Sequence, residues 1–333
     1  PEVPAPASSS DPGAGRVVLM GQILVDRVLQ GARPIHGGGS EWARDGGTHV
    51  GGGFNALVAA RRMGAEAISL SPIGTGPHAS MIEAALAREG IVDAGPRVDG
   101  VDNGFCVAMI GHDAERTFIS TKGAETMTPE TAWADFVRTM SPGDVLYIDG
   151  YLMDHPANRE AAEAALRVLP EGVRVLLDVS PVIGIPESLP THHAIISMNS
   201  VEARTIAKQS RLDGYLPFDS LSCRLAQTLG RDTLIRLGAS GAYFARSASP
   251  DSETSAAHIP TPTIDAVDTN GAGDAHTGVL AASLALGIPL ERGLVLANCA
   301  GALASTVPGP ASCPTREDIE AAADALAADA AAE

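Results

Sequence analysis

Six short apolar runs recur along the chain: Arg16 to Gly21, Ile68 to Pro72, Val145 to Asp149, Val173 to Asp178, Ala194 to Met198 and Thr233 to Leu237. Each is bounded by turn residues and lacks polar alternation, which reads as a strand buried on both faces. Between them lie helical stretches. After Gly53, Leu57, Val58, Ala60 and Met63 share one face, and Gly64 ends the run. Ala79 to Arg88 closes at Gly90, and Pro156 to Val168, Ser200 to Ala207 and Asp219 to Leu229 continue the series. Strands that alternate with helices imply an α/β fold with a mainly parallel sheet covered on both faces. Ligands of such folds bind outside the carboxyl ends of the strands.

Two regions break the rhythm. Residues 25–50 and 102–124 are polar and Gly-interrupted, with short alternating stretches such as Gly104 to Ile110 and Arg116 to Thr121. They read as a small antiparallel sheet outside the main one, a lid suited to closing over a ligand and excluding water. The plainer alternative is that they extend the edge of the main sheet.

The chain has 333 residues, of which 45% are hydrophobic and only 4% aromatic, so Ala, Val, Leu and Ile must fill the core. Its net charge of -17 argues against nucleic acid and anionic membranes as partners, because their phosphates would be repelled. A small phosphorylated ligand responds to local field instead. Lys122 and Lys208 are the only lysines. Cys106, Cys223, Cys299 and Cys313 form no metal-binding or redox spacing and read as thiols of a reducing cytoplasm. No apolar run is long enough to span a membrane and no signal peptide opens the sequence. Residues 1–15, rich in Pro, Ala, Ser and Gly, read as a disordered leader or an expression remnant, which leaves 16–330 as one domain.

The densest chemistry lies in Asp268-Thr269-Asn270-Gly271-Ala272-Gly273-Asp274, followed by the apolar run Ala275 to Leu286, with Gly287 placed to end a helix. Backbone N–H groups of Gly271, Ala272 and Gly273 can turn inward as an anion cradle at a helix N-terminus. Asp274 places a carboxylate in that cradle. One reading makes it a base that takes a proton from a hydroxyl while a phosphoryl group arrives. The other makes it a first-turn acid that complements the helix dipole.

Other groups are individually ambiguous. Gly51, Gly52 and Gly53 permit close backbone approach to a ligand; Asn55 offers a donor and an acceptor to hydroxyls, or caps a helix. Asp26, after the first strand, pairs with Asn55 as a grip for a polyol, or caps a turn. Asn199 and Glu202 sit at a strand end, where Glu202 could hold hydrated Mg²⁺, although a capping box explains the pair at least as well. Gly238 and Gly241, after another strand, can line nucleotide phosphates or ribose. Arg236 before them could neutralise phosphate charge or simply face solvent.

Together these motifs resemble the ribokinase/phosphofructokinase-B family of carbohydrate kinases, over about Val17 to Ala325. Asp268 to Asp274 matches the family's D-T-x-G-A-G-D signature in full; Gly51 to Asn55, Asn199 with Glu202, Leu237 to Gly241, and Ala297-Asn298 through Gly309 match further family segments. The resemblance implies a ribokinase-like three-layer α/β/α fold with a β lid, and ATP-dependent phosphorylation of a hydroxymethyl group on a sugar or sugar-like substrate. It implies Asp274 as base and the N–H groups of 271–274 as anion hole. Asp26, Gly51, Gly52 and Asn55 would bind substrate. Asn199, Arg236, Gly238, Gly241 and Asn298 would bind the nucleotide, and Glu202 would organise Mg²⁺ through water. Asp268, with the loop around Ser305 and Gly309, would be the place for a monovalent cation such as K⁺. Gly76, Ala79 and His276 depart from the pattern, which has an acid, a glycine and Phe there; His276 reads as a packing variant. Edges of the lid suggest a homodimer.

An adenosine- or pseudouridine-type nucleoside kinase shares these motifs and remains the nearest alternative. A Rossmann oxidoreductase is disfavoured because the first strand lacks G-x-G-x-x-G. A non-catalytic sugar sensor is disfavoured by the intact Asp274.

Overall fold

The computed structural model describes residues 14–31, 40–111, 116–247, 255–307, 309 and 311–332. In chain order they form β1 (Arg16–Met20), β2 (Ile23–Gln30), β3 (Arg44–Gly52), α1 (Phe54–Arg62), β4 (Glu66–Ser69), α2 (Pro77–Arg88), β5 (Val92–Asp93), β6 (Phe105–Ile110) and β7 (Arg116–Ser120). Next come α3 (Ala132–Val137), β8 (Val145–Asp149), α4 (Pro156–Arg167), β9 (Arg174–Asp178), β10 (Ala194–Asn199), α5 (Ser200–Gln209), α6 (Phe218–Leu229) and β11 (Asp232–Arg236). The rest are β12 (Ala242–Ala245), β13 (Ala256–Ile259), α7 (Ala272–Ala285), α8 (Leu290–Ala304) and α9 (Arg316–Ala332).

The main sheet has nine strands in the order β13-β12-β11-β10-β9-β8-β1-β4-β5. It is parallel from β5 to β11 and antiparallel through β12 and β13. Successive residues of each strand feed opposite layers. Val17, Leu19, Tyr147, Leu176 and Leu234 pack with α1, α2, α7, α8 and α9. Val18, Met20, Ile148, Leu177 and Ile235 pack with α3, α4, α5 and α6. With helices on both faces, no strand position needs to be polar, which is why the runs lack alternation.

Helix α7 is buried at every residue from Ala275 to Ala285. It lies in the same layer as α1, and Gly278 marks their contact: a Cβ there would stand 2.1 Å from the Ala56 carbonyl oxygen. This proximity brings the N-terminal turns of both helices to one place above the sheet.

Strands β3-β2-β6-β7 form a separate four-stranded sheet that pairs with no strand of the main sheet. The two irregular regions therefore do not extend the main sheet's edge. One expectation is corrected: β2 and β6 run parallel, in the register Asp26 to Cys106, while β2–β3 and β6–β7 are antiparallel. The reason is topological. The chain between β2 and β6 includes α1, β4 and α2, so β6 returns by a crossover and not a hairpin.

Of the expected leader, residues 1–13 lie outside the described residues, as do 32–39 and 112–115 of the two lid regions. Gly15, placed in that leader by the sequence, belongs to the fold: its N–H donates to the Ala285 carbonyl at 2.8 Å. The four cysteines are free thiols. Among the described residues no helix is long and apolar enough to cross a membrane.

Gly278→Ala is expected to destabilise the protein by about 1–3 kcal/mol through overpacking against α1, read as a lower urea midpoint at unchanged m-value. An unchanged midpoint would show that the two helices do not meet as described.

Candidate functional site

The signature loop is fixed at both ends. Val267 and Asp268 donate their N–H groups to the Ser305 carbonyl at 2.8 and 3.0 Å, and Asp268 accepts from the N–H of Asn270 at 2.9 Å and of Gly309 at 3.1 Å. Gly271 then adopts φ 76°, a left-handed conformation that starts α7 without a side-chain cap. The Ala275 N–H bonds the Gly271 carbonyl, whereas the N–H groups of Gly273 and Asp274 have no acceptor among the described residues. They are orphan donors at the positive end of a 14-residue helix, and so fit a phosphoryl oxygen.

Asp274 is half-buried on this turn. Its Oδ2 accepts from Asn55 Nδ2 at 3.0 Å, so Asn55 caps no helix. Burial pushes the Asp274 carboxyl up to about 6; the Asn55 bond and the charge of Arg236 oppose that rise, and Asp178 adds to it. Asp26, on β2, is also pushed to about 6 by burial and by the charge of Asp274, against the pull of His49. Gly51 lies directly under it: a Cβ at 51 would fall 2.0 Å from Asp26 Oδ2. Gly52, at φ 66°, would place its Cβ 2.6 Å from the Gln22 carbonyl. The structure thus brings Asp26, Gly51, Gly52, Asn55 and Asp274 together. The Oδ1 of Asn55 is buried and unpartnered, as is Nε2 of Gln22.

Carboxylates also gather at the strand ends, and the sequence reading passed over two of them. Asp149 ends β8 and Asp178 ends β9, adjacent in register. Burial pushes Asp149 up to about 7, although its Oδ2 accepts from the Gln22 N–H at 2.6 Å and Oδ1 from Leu152 at 3.2 Å. Asp178 pairs with Arg236, whose Nη1 and Nη2 reach its two oxygens at 2.9 and 3.0 Å. Arg236 is therefore no surface arginine. Burial works against its charge, but Asp178 outweighs that and holds it above the usual range. Both aspartates are the last residues of apolar runs, and that position was the available signal.

Asn199 and Glu202 form the complete capping box of α5: Asn199 Oδ1 accepts from the N–H of Val201 and Glu202, and Glu202 Oε2 accepts from the Asn199 N–H at 2.6 Å. Among the described residues no group of three His, Cys, Asp or Glu side chains could hold a metal ion. The donor set fits Mg²⁺ only as a partner of phosphate oxygens, with Glu202 acting at one remove. Gly238 and Gly241 take φ 57° and 77° in the turn after β11; Gly238 is exposed, whereas Gly241 is buried and a Cβ there would stand 2.2 Å from the Ile259 carbonyl oxygen. Asn298 donates through Nδ2 to the Ile259 and Pro260 carbonyls at 2.9 and 3.0 Å, tying α8 to β13.

The departures also have local explanations. His276 is buried on α7, and burial and the charge of Arg236 push it down to about 3, which keeps the ring neutral. Gly76 leaves room for Asp102, whose carboxylate would lie 2.5 Å from a Cβ at 76. Asp102 accepts from the N–H of His78 at 3.1 Å and of Ala79 at 2.9 Å, capping α2 from another segment. An acid thus stands at the head of α2, from residue 102 instead of residue 76.

A family model described as pfkB family carbohydrate kinase matches residues 15–317. The uncharacterized sugar kinase YegV of Escherichia coli is 31% identical over 311 residues, covering 91% of this chain and 92% of YegV. The ribokinase structure from Thermotoga maritima superimposes with a TM-score of 0.76 at 20% identity, covering 92% of this chain and 98% of that one. Arabidopsis thaliana ribokinase, complexed with ribose and ATP, gives 0.73 at 22% identity, with 93% and 99% coverage. These last two likenesses speak for the fold.

Asp102→Ala is expected to cost about 1 kcal/mol of stability at neutral pH through loss of the α2 cap. Burial raises the Asp102 carboxyl, but the N–H groups of Ala79, His78 and Asn103 outweigh it and hold it below its ordinary value. A depressed carboxyl stabilises above its unfolded pKa, so the gap between wild type and variant should close as pH falls below about 4. Urea titrations at neutral and acid pH check this.

Proposed function

The chain belongs to the pfkB family of carbohydrate kinases, and we propose that it transfers the γ-phosphoryl group of ATP to a hydroxymethyl group of a sugar, with Asp274 as the base. The observation that carries this reading is the placement of Asp274: a carboxylate beside orphan N–H donors at a helix N-terminus, hydrogen-bonded to Asn55 and next to Asp26. A dipole-complementing acid alone would need neither neighbour.

In this reading Asp26 and the free Oδ1 of Asn55 grip acceptor hydroxyls over Gly51 and Gly52, while Asn55 Nδ2 orients Asp274. The ionised Asp274 takes the hydroxyl proton as the acceptor oxygen bonds to the γ-phosphorus and the bond to the ADP oxygen breaks. The free N–H groups of Gly273 and Asp274 stabilise charge on the transferring group, while that of Ala272, expected to join them, already donates to the Thr269 carbonyl at 3.4 Å. Gly238, Gly241 and Asn298 border the nucleotide. Mg²⁺, held by the phosphates with Asn199 and Glu202 behind, would neutralise phosphate charge. A K⁺ ion would sit by Asp268 and the 305–309 loop, where Asp268 already anchors Asn270 and Gly309. The four-stranded sheet would close over the acceptor and exclude water. Its edge strand β7 exposes Phe118 and Ile119, which pairing with a second copy would cover in a cytoplasmic homodimer.

Asp274→Asn is expected to lower kcat by about 10²–10⁴-fold with ATP affinity nearly kept; wild-type turnover would remove Asp274 as the base. Because the base must be ionised, kcat/KM should fall as pH drops through about 6. An ATP-coupled panel of aldoses, ketoses, sugar phosphates and nucleosides tests the acceptor class; turnover of nucleosides alone would replace the sugar reading with the nucleoside one. Glu202→Gln retains a side-chain acceptor for the capping box but not the charge. It should raise the Mg²⁺ concentration for half-maximal turnover.

A further inference from the structure

Arg236 ends β11 with its side chain enclosed between strand ends and the first turn of α7. The fork-on-fork pair with Asp178 is nearly buried, the two side chains being 13% and 9% exposed. Nη1 also reaches Thr277 Oγ1 at 3.2 Å and the Gly273 carbonyl at 3.4 Å. Thr277 Oγ1 in turn donates to Asp178 Oδ2 at 2.9 Å. Nη2 lies 3.8 Å from Glu202 Oε2. The guanidinium therefore touches α7 at the residue before Asp274 and again at the third residue after it, while its partners end β9 and begin α5.

We propose that Arg236 is a positioning residue for Asp274: with Asp178 as counter-ion and Thr277 as bridge, it fixes the first turn of α7 and is not a ligand of the nucleotide phosphates. The inference rests on Asp274 being the base. Three observations carry it. The donors of Arg236 are already directed at Asp178, Thr277, Gly273 and Glu202, in the planar arrangement that only a guanidinium provides. Drawing the side chain towards a phosphate would leave Asp178 buried without its counter-ion. And among the described residues Arg236 is the one cation acting on Asp274, whose other neighbours are Asn55 on α1, Asp26 on β2, Tyr147 on β8, Tyr151 after it and Asp178 on β9. Arg236 favours the carboxylate and Asp178 opposes it, so the pair sets its charge as well as its place.

The test uses the full chain with four variants: Arg236→Lys, Arg236→Met, Asp178→Asn, and the double variant Asp178→Asn/Arg236→Met, which removes both charges of the forked pair if a single variant folds poorly. ADP binding is measured by calorimetry. The Asp274 carboxyl is titrated by ¹³C NMR, its resonance identified by its loss in Asp274→Asn. Turnover is followed with whichever acceptor of the panel is phosphorylated fastest. Expected are an ADP Kd within about threefold of wild type in every folded variant, and a kcat lowered about tenfold or more in Arg236→Lys and in the double variant. The Asp274 midpoint should move up by about half a unit or more in Arg236→Met and down by a similar amount in Asp178→Asn. Simple loosening of the fold would not shift it in opposite directions. ADP binding weakened about tenfold or more in Arg236→Lys or the double variant makes Arg236 a phosphate ligand and overturns the proposal. So does an unmoved Asp274 midpoint in both single variants. A panel with no phosphorylated acceptor would instead sink the kinase reading, while the ADP and NMR measurements still decide the role of Arg236.

Discussion

Helices α1 and α7 approach so closely at Ala56 and Gly278 that no side chain fits between them. Asn55 and Asp274, separated by 219 positions in the chain, meet because of that contact. Leu57 and Val58 of α1 and Val279 and Leu280 of α7 are fully buried around it. Removing any of them leaves a cavity that the close-packed layer cannot readily collapse. Packing in the helix layer thus holds the geometry of the polar site, and the short aliphatic residues that allow the approach belong to the same composition that keeps aromatics rare.

Around that contact the fold concentrates negative charge. Burial disfavours the ionised forms and pushes Asp26 and Asp274 up to about 6 and Asp149 up to about 7. Two features make the cluster tolerable. The N-terminus of α7 directs its positive end at Asp274, and Arg236 sits among the carboxylates with Asp178 on its forked donors. Carboxyls raised in this way are suited to passing protons, and perturbed groups of this kind cluster at functional sites.

Much of the architecture was legible in the chain. Buried parallel strands need apolar residues on both faces, so they appear as unbroken runs, and glycines such as Gly64 and Gly287 mark helix ends through positive φ. Edge elements were less visible. Strands β12 and β13 and helix α3 are short, and their residues carry too little periodicity to stand apart from loops. The parallel pairing of β2 with β6 was hidden because register and direction follow from crossover topology, which local sequence does not encode. Of the residues gathered around Asp274, those carried by glycine-rich motifs stand out in the sequence. Asp149, Asp178 and Thr277 do not, because an acid at the end of a strand looks the same whether it caps a turn or joins a cluster. The capping of α2 by Asp102 was equally invisible, since its partners lie in another segment.

By itself the sequence determined the layered α/β class, the two insertions that form a second sheet, and the glycine-framed carboxylate at the head of α7. These follow from local rules: side-chain period, turn chemistry and the conformational freedom of glycine. Only the tertiary structure decided which carboxylates share a site, which cation offsets them, and that Arg236 faces Asp178 and the α7 turn instead of solvent. Those outcomes depend on distance, burial and charge among residues far apart in the chain, and such terms arise only once the layers have packed.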